Sequence, residues 1–151
     1  MGERMPRGFL VWVLCLVVGS GLVACAEISD WLRPHTYGPS FDYIPDERVD
    51  SVMWQMAGDV KRIDALTHDP AGVSPAQRDE IARLLVIMDD AAKRLGSEGL
   101  RTNHPLIDDH RDAFRADLAA AQRGVMAQPP NYTLAENIAV ACMRCHEHGT
   151  R

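Results

Sequence analysis

The sequence predicts an all-α protein: a four-helix up-down-up-down bundle preceded by a removable leader and an irregular, proline-rich arm. Three observations predict it. Apolar residues recur at i, i+3, i+4 and i+7 over four stretches beyond residue 46. Proline, glycine and capping residues punctuate those stretches, leaving linkers short enough to join antiparallel neighbours. No stretch alternates apolar and polar residues as a half-buried strand does, and no internal repeat is present. A chain of 151 residues that is 46% hydrophobic has room for one domain with its own core. The expected organisation is a leader over residues 1–24, an arm over 25–45 and a helical domain over 46–151.

Residues 1–7 carry Arg4 and Arg7, and residues 9–18 form an unbroken apolar run before Gly19-Ser20-Gly21 ends it. This is the charged head and short apolar body of an export signal. Ten apolar residues are too few to span a membrane, which takes about 20. Leu22-Val23-Ala24-Cys25 then resembles a bacterial lipobox, which implies cleavage before Cys25 and lipidation of its thiol. Ordinary cleavage after Ala24 or Ala26 would instead leave Cys25 a free thiol. Ala26, where an Asp would favour the inner membrane, implies sorting to the outer membrane. Cys15 lies within the leader. Net charge is −5, or −6 once residues 1–24 are removed, which argues against nucleic acid as a partner.

The arm contains Pro34, Pro39, Pro45 and Gly38, a density that forbids a regular helix. Trp31, Tyr37, Phe41 and Tyr43 are expected to pack along the domain. The first helix is expected over 46–67, with Val49, Val52, Met53, Met56, Val60 and Ile63 on its inner face, ended by His68-Asp69-Pro70. The second opens at Ser74 with Pro75 in its first position and runs through Ile81, Leu84, Leu85, Met88 and Leu95 to Gly96. Asn103-His104-Pro105 starts the third. Its expected inner face is Ile107, His110, Phe114, Leu118, Ala121 and Val125, and Pro129-Pro130 stops it. The fourth is expected to begin at Thr133, with Glu136 completing a capping box, and to continue through Ile138, Cys142 and Cys145 to Gly149.

The last helix carries the residues with distinctive chemistry, Cys142-Met143-Arg144-Cys145-His146. The Cys-x-x-Cys-His spacing is the attachment signature of c-type haem. In a helix, positions i, i+3 and i+4 share one face, so two thiols and an imidazole project together. Cys142 and Cys145 are then placed to form thioethers and His146 to ligate the iron. A redox dithiol, or a zinc site from Cys142, Cys145, His146 and His148, uses some of the same residues. The His directly after the second Cys is unnecessary for a dithiol and cramped for tetrahedral zinc. Arg144 either pairs with a haem propionate or sits in water, and His148 is expected in solvent.

In an up-down-up-down bundle the start of the first helix and the start of the third both lie beside the end of the fourth. Met53 is then level with His146, and His104 and His110 fall at the same end. A C-terminal haem motif on such a bundle, together with residues 51–56, resembles the class II c-type cytochromes, the family of cytochrome c prime and the low-spin cytochrome c556 type. The resemblance covers roughly residues 46–150. It implies one covalently attached haem c and a first-helix residue over the distal face. It also implies electron transfer between protein partners, and frequent homodimers. A Met at the distal position is similar to the low-spin members, and Met53 matches it. The lipobox and the aromatic arm depart from the usual soluble pattern.

The expected iron ligands are therefore His146 and Met53, with Met56 and His110 as alternatives for the distal place. His/Met ligation raises the reduction potential and closes the iron to added ligands, whereas bis-His ligation lowers it. Met53 as mere packing would leave a five-coordinate haem that binds NO or CO. A peroxidase needs distal acid-base groups, for which only His110 offers itself. The expected protein is a non-enzymatic, lipid-anchored electron carrier facing the periplasm.

Overall fold

The computed structural model describes Gly38 and residues 40–146. The expected leader, Cys25, most of the arm, His148 and Gly149 lie outside the described residues. Residues 40–146 belong to one compact unit.

Among the described residues the chain is mostly helical. Its elements are β1 (Phe41–Asp42), α1 (Asp46–Thr67), α2 (Pro75–Lys93), β2 (Arg101–Thr102), α3 (Pro105–Met126), α4 (Thr133–Glu136) and α5 (Ile138–His146). Helix α3 packs against α2, α4 and α5, and α1 packs against α2 and α4. No described helix is long and apolar enough to cross a membrane.

Each long helix has a local cause. Asp46 and Glu47 set negative charge against the N-terminal dipole of α1. At its far end Thr67 Oγ1 donates to the Ile63 carbonyl at 3.1 Å and the His68 N–H donates to Asp64 O at 3.1 Å. Helix α2 opens with Pro75 behind a complete capping box. The Gln77 N–H donates to Ser74 Oγ at 3.3 Å, and the Ser74 N–H donates to Gln77 Oε1 at 2.8 Å. Asp108, in the first turn of α3, accepts the Thr102 N–H at 2.9 Å and so ties the preceding loop to the helix. The inner faces of α1, α2 and α3 meet around Ile63, Ile81, Leu85, Met88, Leu118 and Val125, each under 2% exposed. Burying one such side chain contributes about 1.5–3 kcal/mol, which makes this the main source of order.

Four features differ from the sequence expectation. No strand was expected, yet β1 and β2 form a two-residue parallel pair, Phe41 opposite Arg101 and Asp42 opposite Thr102. The pair exists because the end of the arm is held by side chains. Asn103 accepts the Ile44 N–H on Oδ1 at 2.7 Å and donates from Nδ2 to Ile44 O at 2.9 Å, while Ile44 itself is 0% exposed. Residues 41–44 are thereby held against the loop that opens α3. The inner face of α3 carries buried Arg111 where His110 was expected. The last helix is broken at Asn137, whose Nδ2 donates to Thr133 O at 2.8 Å and competes with continuation of the helix. Finally, the expected capping box at Thr133 and Glu136 does not form. Thr133 is the first residue inside α4, and its N–H is taken by Asn131 Oδ1 at 2.9 Å.

Candidate functional site

Helix α5 is the scaffold of the expected motif. Ile138 and Ala141 are buried on its inner face, 3% and 8% exposed, and anchor it to the core. One turn on, Cys142 and Cys145 are half-buried, while Val140 and Met143 face outward. The stripe read from the spacing is therefore present: the thiols lie at the edge of the core. Cys145 Sγ lies 3.9 Å from Leu106 O, which puts the end of α5 against the start of α3, and Cys142 Sγ lies 3.8 Å from Ile138 O in its own helix.

The motif lines a narrow cleft of about 50 Å³ that opens to solvent. Cys142, Cys145 and His146 form one wall, and Met53 and Met56 from α1 form another. Ala92 and Leu95, with Ile107 and Phe114 from α3, supply the apolar remainder, and Arg111 completes the lining. A second cleft, of about 380 Å³, shares Met53, Met56, Cys142 and His146 with the first. Trp54, 80% exposed, stands at the rim of that second cleft. The fold thus gathers both candidate methionines with the two thiols and the imidazole. Met56 is the more buried, 5% exposed; Met53 is half-buried and borders both clefts.

The other sequence candidates fall elsewhere. His110 is half-buried but does not line either cleft. His104 lies at the start of α3, where its Nε2 contacts Ile44 O at 2.9 Å, so it secures the arm. Arg144, expected at a propionate or in water, is half-exposed, and its Nη1 lies 2.7 Å from Asp117 Oδ2, an ion pair between α5 and α3.

Burial pushes both thiols above their ordinary range, most directly at Cys142, where the neighbouring Cys145 adds to the effect. At Cys145 the Arg144 charge opposes burial without cancelling it. Reactive dithiols sit where positive charge lowers the thiol, so these two have the opposite character. Among the described residues no group of three or more His, Cys, Asp and Glu side chains is arranged to hold a bare metal ion.

Arg111 is the site residue that the sequence reading missed. Its charge disqualified it from an apolar face, but the spacing 107, 111, 114, 118, 121, 125 alternates four and three residues, the signature of a continuous inner stripe. The donor set fits an apolar cofactor attached through two sulfurs and one imidazole nitrogen. The Nη1 of Arg111 is buried without a hydrogen-bond partner, while its Nε pairs with Asp112 at 3.2 Å. A scan against protein-family models found no matching family, and searches among curated proteins and among solved structures found no match.

Proposed function

We propose that this chain is a monohaem c-type cytochrome carrying electrons between redox proteins of the bacterial cell envelope. The observation that carries the reading is the meeting of Cys142, Cys145 and His146 with Met53 in one apolar cleft. When bound, the haem supplies a one-electron iron couple. Cys142 and Cys145 would hold it through their sulfurs, and His146 and Met53 would offer the iron an imidazole and a thioether. The Met53 thioether, a soft ligand, favours the ferrous state and closes the iron to added molecules. Leu95, Ile107 and Phe114 keep water away from the ring. No residue of the cleft is assigned bond-making work on a substrate.

The reading takes the four helices as an up-down-up-down bundle, for which the contact of Cys145 with Leu106 and the shared cleft of α1 and α5 are support. It also takes residues 1–24 as an export signal and Cys25 as a lipidated terminus, holding the domain at the periplasmic side of the outer membrane. Electron donors and acceptors are its partners, with a second copy of the chain as a further one.

Haem staining of the boiled, denatured protein tests the attachment, and absorption spectra test the ligation. The expected result is stain retained by the band and a low-spin ferric spectrum with the weak far-red sulfur-to-iron band. Free C-terminal thiols and no stain overturn the reading. A high-spin ferric protein whose reduced form takes up CO reassigns it to a five-coordinate, gas-binding haem protein. Mass spectrometry of the mature N-terminus tests Cys25: cleavage elsewhere removes the anchor.

A further inference from the structure

We propose that Trp54 and the apolar rim of the second cleft are the docking face for a lysine-rich, one-electron redox protein. This rests on the haem reading above and adds to it the surface through which the electron leaves and the charge of the partner that takes it.

Trp54 is 80% exposed, the most exposed large apolar side chain among the described residues. The packing of α1 makes no use of it. Val52 and Met56, two positions to either side, are 3% and 5% exposed. At 3.6 residues per turn two positions is about 200°, so Trp54 stands on the far side of the helix. What it borders is the second cleft, with Asp50, Ala57 and Val60 of α1 and Ala139 of α5. Cys142 and His146 of the haem motif line the same cleft. Met143 follows Ala139 by one turn of α5 and is 45% exposed, and the neighbouring Val140 is 65% exposed, so the apolar surface continues past the cleft. An exposed tryptophan set in apolar surface has the composition of an interface centre.

The rim is acidic on the side of the motif. Glu47 and Asp50 are exposed and precede Trp54 by seven and four residues, so all three share one face of α1. Asp46, its side chain 85% exposed, adds another carboxylate at the same end. The neighbouring cations are paired or distant. Arg144 Nη1 lies 2.7 Å from Asp117 Oδ2, and Arg62 Nε lies 2.8 Å from Glu80 Oε1. Lys61 is about 10 Å further along α1, away from the motif, and Arg48 stands about 120° round the helix from Trp54. Such a rim repels an anionic lipid surface, and equally a second copy of a chain whose net charge is −5, but attracts a cluster of lysines. In the complex one electron passes from the ferrous iron of this chain to the oxidised centre of the partner; no bond is made or broken and no proton moves.

The test uses the full-length, haem-loaded protein. The probe is a basic monohaem c-type cytochrome, in native form and with its lysines succinylated. Calorimetry reads the affinity, stopped-flow absorption reads the electron-transfer rate against salt, and circular dichroism checks the fold. Glu47→Gln/Asp50→Asn is expected to slow the reaction with the native probe about tenfold at low salt and to flatten its salt dependence. Asp64→Asn/Asp79→Asn, which removes the same charge from the other end of α1 and α2, is expected to change the rate less than about twofold. Trp54→Ala is expected to keep the salt dependence and weaken the complex about tenfold or more. The succinylated probe should react slowly with every variant alike.

Equal rates for the two charge-removed pairs, or an unchanged affinity in Trp54→Ala, overturn the proposal while leaving the haem reading intact. So does wild-type protein that self-associates, or that sediments with phosphatidylcholine vesicles, in a manner abolished by Trp54→Ala, since either result gives the face to another occupant. Absence of covalent haem from the wild-type protein is the separate result that sinks the haem reading, and this proposal with it.

Discussion

Met53 and Met56 allow a crossed prediction in which packing and ligation pull in opposite directions. Both line the cleft with His146, but Met56 is 5% exposed and Met53 only half-buried. Exchange of Met for Leu nearly conserves volume and costs less than about 1.5 kcal/mol at a buried site. Met56→Leu should therefore lose about 1 kcal/mol, and Met53→Leu a smaller amount, since less of its side chain is removed from water. If Met53 ligates iron, the spectral ranking is the reverse. Met53→Leu should abolish the far-red band, turn the ferric protein high-spin and open the ferrous form to CO, while Met56→Leu keeps all three wild-type properties. Urea unfolding of each variant alongside ferric and ferrous-CO absorption spectra provides both rankings. A spectral change confined to Met56→Leu would refute the assignment of Met53, and no change in either variant would refute methionine ligation altogether.

Three further outcomes are expected. Asn103→Ala should cost about 2 kcal/mol in urea unfolding, because it leaves the fully buried Ile44 N–H unpaired; hydrogen exchange at Ile44 should accelerate accordingly. Gly124→Ala, which in an open helix would gain up to about 1 kcal/mol, should instead destabilise, since the new Cβ would lie 2.8 Å from the Asn131 carbonyl oxygen, a backbone atom with no rotamer to change; the urea midpoint reads the sign. At Asp89 burial works to raise the carboxyl, but hydrogen bonds from Lys93 and Arg115, each at 2.8 Å, outweigh it and hold the group below the usual carboxylate range. A depressed carboxylate stabilises above its unfolded value and loses that contribution as pH falls through the folded one. Asp89→Asn should therefore cost about 1 kcal/mol at pH 7, with the gap to wild type closing as pH falls below about 4.

The helices were legible because their signals are local. Val52, Met56 and Ile63 in α1, and Ile81, Leu84, Leu85 and Met88 in α2, repeat at helical spacing and are all buried. Ser74-Pro75 marks the start of α2 within one residue. The clustering of Met53 with the terminal motif followed from topology alone. What escaped detection depends on partners distant in sequence or on polar groups turned inward. A two-residue strand has no period to detect, and β1 exists only because Asn103 reaches across to Ile44. Thr133 and Glu136 had the spacing of a capping box, but Asn131 Oδ1 takes the Thr133 N–H and the Tyr132 carbonyl takes the Glu136 N–H. His110 and Arg111 are neighbours on α3 and hydropathy favours the histidine, but the arginine is the inward residue, its guanidinium fitting the space left by Gly96 and its Nε pairing with Asp112.

Helix α5 has nine residues, far short of the length at which a helix persists by itself in water. Its order is borrowed from the walls it docks on, through Ile138, Ala141 and the Arg144–Asp117 pair. Cys142 and Cys145 are half-buried only because the helix is docked, so whatever loosens those few anchoring contacts also exposes the two sulfurs.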